Sequence, residues 1–299
     1  SGGVADACAK QNATARASPH YGKPAVLALA GDVSGRRILD AGCGAGPTMA
    51  ALRKAGASVV GFDVSAAMVD LARQRLGADA DLRVADLAEP LPFGDAEFDD
   101  VVASLVLHYL EDWSGPLAEL RRVLKPGGRL LVSVNHPVIF PVVYPESDYF
   151  AVTRYTEDYD FSGQTVWLTF FHRPLHAMTD SFAAGGFRIV KISEPAPAPD
   201  TPPELLPDGL EAGRSFLCFL FFVLEAVRLR GDARVSGRSG RGWSRANRIR
   251  SKPRRHRPAG CPGGLGRRGP TIGPRRRARP PLGRGRRSRS RWHRRHRSG

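Results

Sequence analysis

The sequence has no run of eighteen apolar residues, about the length a helix needs to cross the hydrocarbon core of a bilayer. Its nearest approach, Phe216 to Val227, covers about a dozen residues and suits a buried strand better. No membrane partner is expected. The N-terminus lacks the basic-then-apolar pattern of a secretory signal. Cysteine is scarce: Cys8, Cys43, Cys218 and Cys261 show neither metal-ligand spacing nor the density of a disulfide scaffold. No metal is expected, and a reducing, cytoplasmic setting is the simplest reading. No internal repeat is visible.

Acidic residues nearly vanish after Val227. Residues 1–227 carry 19 Lys/Arg and 28 Asp/Glu, a balance of −9, whereas residues 228–299 carry 26 Lys/Arg against Asp232 alone, a balance of +25. This second segment has no Phe, Tyr or Met and is rich in Arg, Gly, Pro and Ser. Such a composition cannot bury enough apolar surface to offset chain entropy, so disorder is expected there. The organisation predicted is a folded domain over 1–227 and a basic tail over 228–299.

Within the domain, strand and helix patterns alternate. Strands are predicted at Arg37–Ala41, Ser58–Phe62, Asp81–Val84, Phe98–Ala103, Arg129–Val134, Phe187–Ile192 and Phe216–Leu224. Helices are predicted at Pro47–Ala55, Ser65–Leu76 with Ser65 as N-cap, Trp113–Leu124 stopped by Pro126-Gly127-Gly128, and Pro174–Ala184. This is an α/β fold with a mostly parallel sheet covered on both faces, and such folds bind ligands at the carboxyl ends of their strands.

The stretch after the first strand reads Asp40-Ala-Gly42-Cys43-Gly44-Ala-Gly46-Pro47. The glycines permit a sharp turn and close approach of a ligand to the main chain. A dinucleotide fingerprint, G-x-G-x-x-G, would place its third glycine at position 47, where Pro47 stands. An acid at the head of the loop repels a pyrophosphate and attracts an ammonium group. Both facts disfavour a nicotinamide oxidoreductase and favour a cofactor with an amino-acid end and a nucleoside end. Asp63, ending the second strand, can accept from ribose hydroxyls. Asp86, after the third strand, can accept from an adenine amine, with Leu87 offering the ring an apolar face.

The segments ILDAGCGAG, VVGFDVS, VADLAEPLPFGDAEFDDVVASLVLHYLEDW and ELRRVLKPGGRLLVSVNHP resemble the successive motifs of class I S-adenosylmethionine-dependent methyltransferases. They are most similar to the small-molecule enzymes of ubiquinone and menaquinone biosynthesis. The resemblance covers about residues 20–227. It implies a Rossmann-like, doubly wound seven-stranded sheet whose last strand, Phe216–Leu224, is antiparallel. It also implies S-adenosylmethionine as cofactor. Asp40 and the loop Gly42, Cys43, Gly44 and Gly46 would hold the methionine end. Asp63 with its neighbour Val64 would hold the ribose, and Asp86 with Leu87 the adenine. Ser104, at the end of the fourth strand, joins the expected contacts. So does Tyr21, since an N-terminal aromatic often folds over the cofactor in this family.

Methyl transfer needs positioning more than acid–base work, so a base matters only if the acceptor must lose a proton. His108, just past the fourth strand, is expected to touch the acceptor and is the candidate base, while Tyr109 is expected to pack inward. Residues 136–172 are expected to form a lid over the carboxyl edge. They hold ten of the chain's 24 aromatic residues, which suggests an apolar or aromatic small-molecule substrate. His136 and His172 are further substrate candidates; His172 and Arg173 also fit a helix N-terminus without chemical role. The base-methylating motif D/N-P-P-aromatic is absent after the fourth strand, where Ser104-Leu105-Val106-Leu107 stands, and neither Cys43 nor Cys218 suits a nucleophile for cytosine.

The basic tail has three readings. It could bind nucleic-acid phosphates, it could be a solvated extension, or it could be the product of a frame shift or read-through in GC-rich DNA. The acidic domain argues against nucleic acid as substrate. A small-molecule methyltransferase is therefore expected. The alternatives are an RNA methyltransferase acting through the tail and a non-catalytic cofactor-binding module. Oligomeric state is not legible.

Overall fold

The computed structural model describes residues 18–161, 164–203, 206 and 213–227. The tail at 228–299 lies outside the described residues, and with it every expectation placed there.

A π-helical turn at Ser18–Gly22 leads into α1 (Lys23–Ala30). Then follow β1 (Arg37–Ala41), α2 (Pro47–Lys54), β2 (Ser58–Asp63), α3 (Ala66–Leu76), β3 (Leu82–Val84) and β4 (Phe98–Ser104). After a 3-10 turn at Leu107–Tyr109 come α4 (Ser114–Val123) and β5 (Leu124–Asn135). The lid segment contains α5 (Ile139–Val143), β6 (Thr153–Phe161) and β7 (Gln164–His172); α6 (Leu175–Ala184), β8 (Phe187–Ser193) and β9 (Phe219–Ala226) are the last elements among the described residues.

Seven strands form one sheet in the order β3-β2-β1-β4-β5-β9-β8. The strands β1 to β5 pair in parallel, and β9 runs antiparallel to both β5 and β8. The strand order reverses between β1 and β4, the place where open α/β sheets leave a crevice.

Alternating residues of the central strands feed two cores, as the pleat requires. Leu39, Val60, Val101 and Leu130 join Leu117 and Leu120 of α4 and Phe182 of α6. Their neighbours Ile38, Val59, Val102 and Leu131 face the other way and join Val26 of α1, Met49 and Leu52 of α2, and Val69 of α3. Both sheet faces are thus dry, which explains why the parallel strands read as near-continuous apolar runs. Ser65 caps α3, its Oγ accepting the Met68 N–H at 3.3 Å.

Two strands depart from expectation. Strand β5 starts at Leu124 rather than Arg129, so Pro126-Gly127-Gly128 lies inside the strand and does not stop the helix. The pairing is irregular there: Phe98 pairs with Leu124, and the register shifts before Asp100 meets Arg129. Gly128 fills that irregularity, where a Cβ would come within 2.9 Å of two carbonyl oxygens. The last strand starts at Phe219 rather than Phe216; the Phe216 ring instead stacks on Tyr21. The lid is more ordered than its composition signals: β6 and β7 form an antiparallel hairpin pairing Thr153 with His172 through to Phe161 with Gln164.

Candidate active site

A cavity of about 400 Å³ opens at the carboxyl ends of β1, β2 and β4. Gly42, Gly44, Asp63, Val64, Asp86 and Leu87 line it, so six of the expected cofactor contacts meet on one wall. The glycine loop sits in left-handed backbone, with φ of +70° at Gly42 and +53° at Gly44. A Cβ on Gly42 would lie 2.6 Å from Cγ2 of Val106, whereas a Cβ on Gly44 would meet no atom within 4 Å. Gly42 is therefore required by the fold, and Gly44 leaves the cavity clear.

Asp63 anchors the loop. Its Oδ2 accepts the Gly44 N–H at 2.8 Å, and its Oδ1 accepts the Ser65 N–H at 2.9 Å. Asp86 Oδ1 accepts the Ala88 N–H at 2.9 Å, a turn that fixes the carboxylate at the cavity wall.

Asp40 is buried at the end of β1, and its Oδ2 has no hydrogen-bond partner. Burial, and then the charge of Asp63, push its pKa up to about 7, with a backbone N–H from Met49 working against them. Asp100, also buried on this sheet, is the useful contrast. Its two oxygens take four hydrogen bonds from Arg36 and Arg129, at 2.5 to 2.8 Å. A structural buried carboxylate here is fully paired; Asp40 is not. An unpaired buried acid beneath an open glycine loop fits a ligand that brings its own cation.

Four expected contacts lie elsewhere. The Tyr21 ring is buried and stacks between Phe216 and Phe219, each at 5.4 Å between centroids; it belongs to the core, not to the cavity. The Cys43 side chain is likewise buried in the core, and its thiol is pushed up to about 12, chiefly by burial. Gly46 is the left-handed N-cap of α2 and packs on Leu76 and Ala72 of α3. The Ser104 hydroxyl pairs with that of Ser133 at 3.0 Å.

The rest of the wall includes Met68, Leu105, Val106, Tyr109 and Leu110. Tyr109 therefore faces the cavity and does not pack inward as expected; it is 41% exposed. Leu105 has φ +55°, rare for a leucine, and its N–H bonds to Ser133 O at 2.9 Å and Ser133 Oγ at 3.1 Å. Strain of this kind gathers at functional sites, and nothing in the letter Leu announces it.

Beside this cavity lies a tight aromatic cleft under the lid, enclosing about 30 Å³. All three candidate histidines line it. The adjacent residues His108 and Tyr109 divide the two spaces. Their rings meet edge to face at 4.7 Å, and both pack on Phe170.

The hydrogen bonds decide what each imidazole can do. His108 Nδ1 accepts the Asn135 N–H at 3.2 Å, so its proton sits on Nε2 and no lone pair is left. Burial pushes its pKa down to about 3. The base role expected of His108 is therefore corrected: the ring is a neutral donor. His136 is engaged at both nitrogens, Nδ1 accepting from Val138 N at 3.2 Å and Nε2 meeting Glu194 Oε1 at 2.8 Å. His172 donates from Nε2 to the Tyr149 carbonyl at 2.8 Å, and its ring stacks on Phe140 at 4.3 Å. Its Nδ1 lone pair is not taken by another described residue, and burial keeps its pKa low.

Residues 39–132 match the protein family described as a methyltransferase domain. Over 101 residues the chain is 43% identical to the demethylmenaquinone methyltransferase of Clavibacter sepedonicus, covering 33% of this chain and 41% of that protein. Over 108 residues it is 39% identical to the malonyl-[acyl-carrier protein] O-methyltransferase of Serratia marcescens, covering 36% and 42%. The chain thus spans about four-tenths of the length of these curated relatives. An S-adenosylmethionine-dependent methyltransferase structure from Mesorhizobium loti superposes with a TM-score of 0.51 at 26% identity, covering 68% of this chain and 96% of that one. A candidate enzyme of the same type from Listeria monocytogenes gives 0.55 at 23% identity, covering 69% and 95%.

Proposed function

We propose that the segment matching a methyltransferase domain, residues 39–132, works as a class I S-adenosylmethionine-dependent methyltransferase and that the protein methylates a small apolar or aromatic metabolite. The observation that carries this reading is the cavity at the strand ends, where Gly42, Gly44, Asp63, Asp86 and Leu87 share one wall. Its volume lies within the range of small-molecule sites, ~300–1,000 Å³. Asp40 and the glycine loop would hold the amino-acid end of the cofactor, Asp63 the ribose, and Asp86 with Leu87 the adenine. When bound, S-adenosylmethionine supplies a methyl group on a positively charged sulfur.

The chain's own residues position and exclude water. Tyr109 and His108 stand between the two spaces. His108 keeps a neutral ring and offers its Nε2–H to the cleft. Asn135 Nδ2 donates to the Tyr155 hydroxyl at 3.3 Å, and the Tyr144 hydroxyl donates to Glu157 at 2.9 Å. An acceptor that must lose a proton meets His172 Nδ1.

The quinone-type acceptor of one relative is consistent with the aromatic lid. A cytoplasmic setting is part of this proposal and draws on the few, unclustered cysteines of the sequence. Among the described residues no helix is long and apolar enough to cross a membrane. The RNA alternative rests on residues 228–299 alone.

The test is incubation of the full chain with methyl-labelled S-adenosylmethionine and a metabolite extract, followed by identification of the labelled product. Label in a small aromatic or apolar compound supports the reading. Cofactor binding without any labelled product leaves a binding module instead, and label only in RNA overturns the substrate class.

A further inference from the structure

The aromatic cleft contains a cation that no described acid pairs with. Arg173 follows β7 directly and is only 9% exposed. It lines the cleft with His108, His172 and Tyr155. One terminal nitrogen bonds the Glu111 carbonyl, the guanidinium lies over the Trp113 ring at 4.6 Å, and Nε has no hydrogen-bond partner. Asp112 acts on the guanidinium electrostatically but forms no ion pair with it and bonds Ser114 through both oxygens, while Glu157 takes the Tyr144 hydroxyl. The paired arginines of this protein look different. Arg36 and Arg129 both fork onto Asp100, and Arg122 reaches both Glu119 and Asp95.

A buried guanidinium with no acid in direct contact weakens the fold unless something completes it. Burial drives its pKa below the ordinary arginine value and outweighs the opposing pull of the Asp112 charge. A carboxylate matches the planar fork of arginine better than any neutral group. The ring-lined walls around it (Phe140 on His172, Tyr155 on Phe170) suit a flat apolar body.

We propose that this cleft is an anion subsite: the acceptor is a planar aromatic or apolar acid whose carboxylate lies on the Arg173 guanidinium. This rests on the reading of the cleft as the acceptor site and narrows it from apolar metabolites to apolar acids. In the present conformation the cleft encloses about 30 Å³, so an acid enters by displacing the side chains that fill it. The carboxylate then replaces a missing partner, while the ring replaces aromatic contacts with its own.

The experiment compares 2-naphthoate with its neutral isostere 2-naphthamide by calorimetry on the full chain, with and without S-adenosylhomocysteine. The acid is expected to bind roughly tenfold or more tightly than the amide, the strength of a charge-assisted hydrogen bond. In Arg173→Gln that preference is expected to vanish. Equal affinities in the unaltered protein, binding of neither probe, or a preference that survives Arg173→Gln overturn the proposal. Should Arg173→Gln fail to fold, the acid–amide comparison in the unaltered protein decides alone. Absence of any heat with S-adenosylhomocysteine sinks the methyl-transfer reading instead, and the acid–amide comparison without cofactor still decides the subsite.

Discussion

Two cavities meet at the His108–Tyr109 pair, and they are made of different material. The larger, about 400 Å³, has its polar wall set by backbone, with a left-handed glycine loop and carboxylates held by main-chain amides facing an apolar wall. The smaller, about 30 Å³, is built by side chains: stacked rings, three buried histidines and a buried arginine. The first is open and preformed. The second is filled by its own walls. Backbone geometry fixes a site for a ligand of constant shape, whereas interdigitated side chains can be exchanged without disturbing the sheet. On the proposed reading, the division puts the methyl donor in the larger cavity and the choice of acceptor in the lid.

The sharpest way to break this division is to damage each side and read both. Asp63→Ala removes a charged acceptor available to two ribose hydroxyls. At ~1.5 kcal/mol each the loss is about 3 kcal/mol, or roughly 100-fold in the Kd of S-adenosylhomocysteine by calorimetry. Phe140→Ala removes a buried lid ring stacked on His172 and should cost about 3 kcal/mol of stability in a denaturant melt. It should leave the cofactor Kd within about twofold, because the two sites share no partner of Phe140. An unchanged Kd in Asp63→Ala, or an equal rise in Phe140→Ala, erases the distinction.

The glycines sharpen the comparison inside the larger cavity. Gly42→Ala sets a methyl 2.6 Å from Val106 in left-handed backbone, and should lower stability by about 2 kcal/mol. Gly44→Ala meets no protein atom and should fold at a cost of about 1 kcal/mol. Its methyl projects into ligand space, so the cofactor Kd should rise roughly tenfold. The first variant is read in the melting temperature and the second in calorimetry; the reverse assignment would mean that the loop does not face the ligand.

The same contrast explains what could be read from the letters. The larger cavity was legible because its parts are punctuation: glycines after a strand, and an acid at each of three strand ends. Strand positions followed from apolar runs, and Ser65 announced its helix. What failed were side chains whose direction depends on tertiary packing. Tyr21 and Tyr109 are alike in sequence, yet one is 3% exposed in the core and the other is 41% exposed on the cavity wall. Pro126-Gly127-Gly128 reads as a helix stop but forms a strand irregularity, because Phe98 already pairs with Leu124 across it. Arg173 read as a helix-start residue; only the burial of its guanidinium, with Nε left without a hydrogen-bond partner, gives it a chemical meaning. The lid's aromatic density was visible, but not its hairpin, since ring-rich segments carry no period that separates wall from filling.

The smallest expected signal tests the reason for leaving Asp40 unpaired. Its pKa rises from an ordinary 3.8 to about 7 in the folded chain. Between those values the folded protein holds more protons than the unfolded one. Stability from this group is therefore full below about pH 4 and is lost as pH rises through 7. A ligand ammonium group placed on the carboxylate reverses this by favouring the ionised form. At pH 6.5 about three-quarters of Asp40 is protonated on the value of about 7, so binding S-adenosylhomocysteine should release up to that fraction of a proton. By pH 8 the release should fall to about a tenth. Calorimetry in two buffers of different ionisation enthalpy measures it directly. Asp40→Asn should abolish the release and should be more stable than the unaltered protein at pH 8, but not at pH 4. Identical heats in both buffers at pH 6.5 would mean that the carboxylate is not where the amine binds, and the orphaned oxygen would then need another ligand. Asp100, with both oxygens already held by arginines, provides the internal control. The same sheet carries one buried acid completed by the fold and one left for a visitor to complete.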